Sequence, residues 1–258
     1  MPAPLPVEII AHRGASGDAP ENTAAAVREA WRQNADAVEM DVHLSRDGRI
    51  VVIHDATTER TTGVNGTVAA MTAAELCALD AGIGKGDRFA GERIPLLEDL
   101  LPLTPPGKRL YIEVKTGPEI VPALARVIGR CPLARDQVRF ISFGPEPLRG
   151  LKERFPECEV FWLRAYDPSL AAREALPALI GDCCREGFDG VDLHHAWPLD
   201  ARWMRRLREA GRKVISWTVD DPLIARRLVE LGVDGITTNR PDWLAGKLRR
   251  PHSPFPTC

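Results

Sequence analysis

Apolar residues fall at every second position in several short runs of this chain, and charged residues occupy the positions between them. Side chains two apart in a strand share a face. In Ala37-Val38-Glu39-Met40-Asp41-Val42 the residues Val38, Met40 and Val42 therefore form one face and the acids Glu39 and Asp41 the other. The run Leu110-Tyr111-Ile112-Glu113-Val114-Lys115 repeats the design, with Ile112 and Val114 on the buried outer face and Glu113 and Lys115 opposite. Strand-like runs end near His12, Asp41, Lys115, Ser142, Leu163, Leu193, Thr218 and Thr238, and helix-like stretches follow most of them. The first helix, 22–32, opens after Pro20 with polar Asn22 and Thr23 at its start. Further helices are predicted over 119–130, 146–154, 169–186, 200–210, 222–231 and 241–248. Eight strands alternating with helices predict an α/β fold, a (β/α)8 TIM barrel, whose active site lies at the C-terminal ends of the strands.

The segment between Asp41 and His54 reads as a hairpin, because Asp47-Gly48 is flanked by apolar runs. A two-residue turn at Asp47-Gly48 sets Arg46 opposite Arg49 and Asp41 opposite His54. A four-residue turn over Ser45 to Gly48 sets His54 opposite Glu39. Either register leaves His54 on the acidic face. The run Ile50 to Ile53 is an arm of this hairpin and not a barrel strand, since the connection is too short for a parallel crossover. The stretch of about 55–106, rich in Thr, Gly and Ala, then becomes a small insertion over the barrel mouth, and the tail 249–258, with its prolines, is expected to be extended and peripheral.

Composition places these motifs in a single catalytic domain over 1–258. With 258 residues, 44% hydrophobic and 27% charged, the chain can bury a large core and falls within the range of one barrel. A formal charge of −2 offers no basic surface for nucleic acid. The first eight residues lack the basic and apolar regions of a signal peptide, and no apolar run approaches a membrane span, so no stable membrane anchor is expected. The six cysteines, Cys77, Cys131, Cys158, Cys183, Cys184 and Cys258, show no Cys-x-x-Cys spacing. They read as reduced thiols of a cytoplasmic protein.

The chemistry sits where strands end. His12-Arg13-Gly14, Glu39-Met40-Asp41, His54-Asp55 and Glu113-Val114-Lys115 together supply two imidazoles, two cations, the three inward carboxylates Glu39, Asp41 and Glu113, and the Asp55 carboxylate beside His54. That set suits cleavage of a phosphodiester with one bound divalent metal. Three carboxylates without a thiolate form a hard oxygen site, fit for Mg²⁺ or Ca²⁺.

At these residues the chain resembles the glycerophosphodiester phosphodiesterases of the bacterial cytosolic kind, over nearly its whole length. The matching segments are His12-Arg13-Gly14, Pro20-Glu21-Asn22-Thr23, Glu39-x-Asp41-Val42, Asp47-Gly48, His54-Asp55, Arg60-Thr61-Thr62 and Asp80-Ala81-Gly82. Ile94-Pro95-Leu96-Leu97, Glu113-x-Lys115, Ser142-Phe143, Trp217-Thr218 and Thr238-Asn239-Arg240-Pro241 continue the pattern. Each is weak alone; their joint order and spacing are specific. The resemblance implies that Glu39, Asp41 and Glu113 bind the metal, that His12 and His54 are acid and base, and that Arg13 and Lys115 hold the phosphate. It also implies a small-molecule glycerophosphodiester substrate, sn-glycerol 3-phosphate and an alcohol as products, and attack by the glycerol 2-hydroxyl with His12, by analogy, as the first base. Direct attack by water and homo-oligomerisation both stay open.

His43, His194, His195 and His252 are expected to be structural, and Asp55 to orient the hairpin end. Glu21 and Asn22 could equally cap the helix and brace the His12 loop or touch ligand. Trp217, at a strand end, is read as an apolar floor under the glycerol carbons, with Phe143 and Phe89 in the background as lining or lid residues. Two rivals remain. One is a related phosphodiester-cleaving barrel of the phospholipase C or lysophospholipase D type, for which the scattered Leu76, Leu79, Ile83 and Phe89 of the insertion make a poor membrane anchor. The other is an inactive phosphodiester-binding module, which loss of a histidine or metal acid would signal; none is lost.

Overall fold

Parallel strands with one apolar face can bury that face only under helices, and the chain does so by closing a ring. A computed structural model describes residues 7–168 and 172–249. Its strands are β1 (Glu8–Ala11), β2 (Ala37–Leu44), β3 (Ile50–Val52), β4 (Arg109–Val114), β5 (Val138–Ser142), β6 (Glu159–Arg164), β7 (Gly190–His194), β8 (Lys213–Trp217) and β9 (Gly235–Thr238). All but β3 pair in parallel in the order β1-β9-β8-β7-β6-β5-β4-β2, and a β1–β2 pairing closes this into an eight-stranded TIM barrel. The helices are α1 (Ala24–Arg32), α2 (Glu59–Thr62), α3 (Ala73–Cys77), α4 (Leu97–Leu100), α5 (Val121–Arg130), α6 (Pro145–Arg154), α7 (Ala172–Arg185), α8 (Ala201–Glu209), α9 (Pro222–Leu231) and α10 (Pro241–Arg249). The expected starts of α7 at Ser169 and the tail 250–258, with His252 and Cys258, lie outside the described residues.

Side-chain alternation divides the core in two. Val38, Met40, Val42, Leu110, Ile112 and Val114 point outward and join the helices in the main apolar cluster. Ile10, Ala37, Tyr111, Ile141, Phe161, Leu163 and Ile215 fill the barrel interior. The insertion between β3 and β4 has an apolar cluster of its own around Val51, Ile53, Val68, Leu76 and Ile94, whereas Leu97, Leu100 and Leu101 pack in the main one. It is fastened to the loop after β1, where Lys85 Nζ donates to Ser16 O at 2.5 Å and Arg88 Nη2 to Asp18 O at 2.8 Å. The described cysteines are all free thiols. No helix among the described residues is long and apolar enough to cross a membrane.

The hairpin departs from both expected registers. Val42 pairs with Val52, His43 with Val51 and Leu44 with Ile50, which falls between the two. The loop has three residues, Arg46-Asp47-Gly48, closed by Ser45 N donating to Arg49 O and Gly48 N to Ser45 O, with Gly48 in the left-handed region at φ 74°. The reason lies in Asp47, whose Oδ1 accepts from Ser45 Oγ at 2.7 Å and from Ala73 N at 2.8 Å. Continued in this register, the ladder would set His54 opposite outward-facing Met40. It ends instead: Ile53 N donates to Asp41 O, and the chain then turns, which frees His54 to reach the barrel mouth.

The opposite end of the barrel is closed by charge. Arg139 Nη1 donates to Glu8 Oε2 at 2.6 Å, and its Nε lies 2.7 Å from Glu159 Oε2. Tyr111 Oη also donates to Glu8 Oε2 at 2.6 Å, Arg109 Nη1 pairs with Glu8 Oε1 at 2.9 Å, and Lys213 pairs with Glu159. Removing a cation from such a buried network leaves carboxylates uncompensated. Arg139→Ala is therefore expected to destabilise the fold by roughly 3 kcal/mol, read as a lowered urea midpoint; an unchanged midpoint would contradict a structural role for this plug.

Candidate active site

The turn after β1 sets the first residues of the site. Gly14, at φ 80°, lies so close to α1 that an added Cβ would meet Ala26 at 2.6 Å, which requires glycine there. Arg13 takes the left-handed region at φ 55°, unusual for a bulky residue, and its backbone N donates to Glu39 Oε2 at 2.9 Å. The Arg13 guanidinium then lies between two acids, donating to Glu21 Oε1 at 2.9 Å and sitting 3.2 Å from Asp41 Oδ2. Asn22 is neither cap nor surface residue: its Nδ2 donates to Asp41 Oδ2 at 2.8 Å and its Oδ1 accepts from Asp41 N at 3.1 Å. Thr23 caps α1, accepting from Ala26 N at 3.2 Å.

Alternation along β2 and β4 turns the acids inward. One oxygen each of Glu39, Asp41 and Glu113 lies within 4.8 Å of the others, and all three residues are buried. Lys115 Nζ donates to Glu113 Oε1 at 2.6 Å and stands 3.4 Å from Asp41 Oδ1. Glu39 Oε1 and Asp41 Oδ1 are buried without any hydrogen bond. Burial, then Asp41 and Glu113, push Glu39 well above the usual carboxylate range. Glu113 is raised to about 7 by burial and by Asp41. Burial pushes Asp41 up too, but Lys115 and Arg13 outweigh it and hold this carboxyl low. Three acids against two cations, with two orphaned oxygens, fit a hard divalent cation better than a closed ion-pair network.

Each histidine has one ring nitrogen occupied. His12 Nδ1 lies 2.7 Å from Asn239 Oδ1, and Asn239 is itself oriented by donating from Nδ2 and from its backbone N to Asp220, at 2.6 and 2.9 Å. Because that amide oxygen can only accept, Nδ1 of His12 carries the hydrogen and Nε2 the lone pair. Burial, then Arg13, lower the His12 pKa to about 4, so the ring is neutral near pH 7. His54 Nδ1 lies 2.6 Å from Asp55 Oδ1. His43 Nε2 meets the His54 backbone carbonyl at 3.0 Å and serves the backbone.

His12, Arg13, Glu39, His54, Glu113, Lys115 and Trp217 line one cavity of about 140 Å³ at the C-terminal ends of the strands, with Ile141, Phe143, Leu163, Asp192 and Thr237 as its other walls. Asp41 sits behind this lining. Trp217 donates from Nε1 to Asp192 O at 3.1 Å and meets Phe143 edge-on at 5.7 Å. Phe89 is elsewhere, in a shallow groove with Asp18 and Arg32. A larger cleft on the barrel's outside, between the hairpin and α5, is lined by Arg49, Glu98, Arg126 and Arg130 and brings no histidine near an acid cluster.

Four residues have a part here that the sequence reading does not assign. Asn239 stands in a matching segment but carries no role there; it and Asp220 lie more than 200 residues from His12, and no local pattern joins them to it. Asp192 had a signal, an acid at an inward position of Gly190-Val191-Asp192-Leu193-His194. Arg60 was in a matching segment but carried no role; it donates from Nε to Asp55 Oδ2 at 2.5 Å and from Nη1 and Nη2 to Glu21 at 2.9 and 2.7 Å.

Comparison with known proteins bears on this arrangement. A profile described as the Glycerophosphoryl diester phosphodiesterase family matches residues 12–243, from the first site histidine into α10. A putative glycerophosphodiester phosphodiesterase of Bacillus subtilis is 35% identical over 92% of this chain and 96% of its own length. A glycerophosphodiester phosphodiesterase of Caldanaerobacter subterraneus is 34% identical over 94% and 98%. Among solved structures, an Oleispira antarctica phosphodiesterase in complex with the product sn-glycerol 3-phosphate superposes with a TM-score of 0.82 at 30% identity, covering 94% of this chain and 97% of that one. With the match running through every strand that carries a site residue, the chain belongs to the glycerophosphoryl diester phosphodiesterase family.

Proposed function

We propose that this enzyme hydrolyses glycerophosphodiesters to sn-glycerol 3-phosphate and an alcohol, with His12 and His54 exchanging the protons. One observation carries the reading: both imidazoles line the same small cavity as the two cations and the acids Glu39 and Glu113, and both have Nδ1 engaged, which leaves Nε2 for chemistry. Nε2 of His12, neutral and unprotonated, takes the proton of the glycerol 2-hydroxyl as that oxygen attacks phosphorus. His54 gives its proton to the departing alkoxide, and the Asp55 carboxylate stabilises that ring while it is charged. Water then opens the cyclic phosphate with the two roles exchanged. Arg13 and Lys115 neutralise the non-bridging oxygens throughout. A divalent ion, Mg²⁺ or Ca²⁺, held by Glu39, Asp41 and Glu113 would supply further positive charge where negative charge develops on the phosphate.

The product bound in the Oleispira antarctica protein supports a substrate of this class. A lipid surface finds less support, because the exposed large apolar residues among those described, Val64, Ile83, Phe143 and Leu223, are scattered over separate elements. The test is product identity. Glycerophosphocholine incubated with the purified chain and Mg²⁺ or Ca²⁺ is expected to yield sn-glycerol 3-phosphate and choline; phosphocholine and glycerol would overturn the reading.

Arg60 gives a second check on the same geometry. Its one guanidinium holds both Asp55, which orients His54, and Glu21, which orients Arg13. Arg60→Ala should lower kcat by roughly 10–100-fold, the usual effect of losing an orienting partner. Lysine should rescue only part of this, since a single ammonium cannot bridge two carboxylates in a planar fork. Wild-type kcat in the alanine variant would show that the network orients nothing.

A further inference from the structure

The carboxyl of Asp192 has no part in the scheme above, yet it lines the cavity. Asp192 is 2% exposed on β7, and its Oδ1 is buried without a hydrogen-bond partner. It belongs to no group of acids close enough to share a cation; the group among the described residues is Glu39, Asp41 and Glu113. In the ring of strands β7 lies across the barrel from β2 and β4, so Asp192 faces the metal-side acids from the opposite wall. Its register partners on the neighbouring strands, Leu163 and Ile215, are apolar, and Leu163, Ile141 and Trp217 line the cavity on its side, with Glu113 facing it as an acid.

An orphaned carboxyl oxygen in an apolar wall costs stability unless something binds it. Pockets for small ligands commonly have this form, a mostly apolar lining with one or two polar atoms that fix orientation. A polyol matches it, because its C–H edges can lie on an indole while a hydroxyl reaches a carboxyl oxygen. Resting on the function proposed above, we infer that Asp192 is a specificity residue that takes the primary hydroxyl of the glycerol half of the substrate. Trp217, whose indole N–H is tied to the Asp192 carbonyl, packs against the carbon chain. The phosphate is then gripped on one wall and the glycerol read on the other, and the variable alcohol is directed to the open mouth.

The test compares two substrates, glycerophosphocholine and the analogue with propane-1,2-diol in place of glycerol. The analogue lacks the primary hydroxyl and keeps the 2-hydroxyl that reacts. The wild-type chain should prefer glycerophosphocholine in kcat/KM by roughly 10–100-fold, the worth of one buried hydrogen bond whose loss leaves its partner unpaired. Asp192→Leu should bring that ratio close to one, and Asp192→Asn, which retains a hydrogen-bonding oxygen, should keep most of it. A wild-type ratio near one, or a ratio preserved in Asp192→Leu while both rates fall, would overturn the inference and leave Asp192 a structural residue. Failure of the function itself reads differently, as no sn-glycerol 3-phosphate from the wild-type chain with either substrate.

Discussion

His12→Ala and His54→Ala are each expected to lower kcat by roughly 10²–10⁴-fold, the contribution of a positioned acid or base, with the folded state retained. The argument is geometric. His12 is held by Asn239 and Asp220 so that Nε2 presents a lone pair, and its neutral form persists to a pKa of about 4 because burial and Arg13 disfavour the charged ring. His54 is held by Asp55, itself pinned by Arg60. Neither ring supports the barrel core, so thermal melts of both variants should stay close to wild type. KM should change little, because the phosphate contacts proposed for Arg13 and Lys115 do not involve either ring. The double variant should lose no more than about the product of one loss and a small further factor, since acid and base act as a unit. His195→Ala is the control: that ring lies tilted against His194, 4.4 Å between centroids, outside the cavity lining, and its loss should cost far less. Near-normal turnover in either His12→Ala or His54→Ala would remove the two-histidine mechanism.

The second large effect is metal removal. Without a cation, Glu39, Asp41 and Glu113 crowd one another, which is why Glu39 and Glu113 are pushed upward by burial and by their neighbours. A hard divalent ion held there would relieve that repulsion and supply a partner to Glu39 Oε1 and Asp41 Oδ1, which have no hydrogen bond. Chelation is expected to lower turnover by roughly 10³-fold or more, corresponding to several kcal/mol of charge stabilisation. Mg²⁺ or Ca²⁺ should restore it. Glu39→Gln should weaken ion binding measured calorimetrically, independently of activity, because it removes charge from the oxygen that has no other partner. Unchanged ion affinity in Glu39→Gln would mean that the acids form only an ion-pair network.

Much of this architecture is local and therefore legible in the chain. The inward acids of β2 and β4 follow from a period of two, and the strand ends at His12, Lys115 and Thr238 fall within a residue or so of the observed ones. Turn length was not legible, because the Asp47 carboxylate that sets it is held by Ala73 N, a contact 26 residues away. Read from Asp-Gly alone, the turn came out one residue short or one long. His54 reaches the cavity for a different reason than pairing: the ladder stops at Val52. The pairings that orient the histidines and Arg13 were illegible for the same kind of reason, although Asn239 and Arg60 stand in quoted segments. Asp220 and Asn239 come from the far end of the ring that closes on β1, and Arg60 comes from a Thr-rich stretch without periodicity. Asp192 was legible as an inward acid, but nothing in its own strand says that the residues around it are apolar.

The central claim is that one cavity couples the three acids, the two cations and the two histidines to a single phosphodiester. A ³¹P NMR time course of glycerophosphocholine with chelated protein tests it most directly, with Mg²⁺ or Ca²⁺ added midway. The account predicts a static spectrum until the ion arrives, then decay of the diester through a cyclic glycerol phosphate to sn-glycerol 3-phosphate. Turnover in chelator with no metal retained, or phosphocholine as the phosphorus-bearing product, would contradict it.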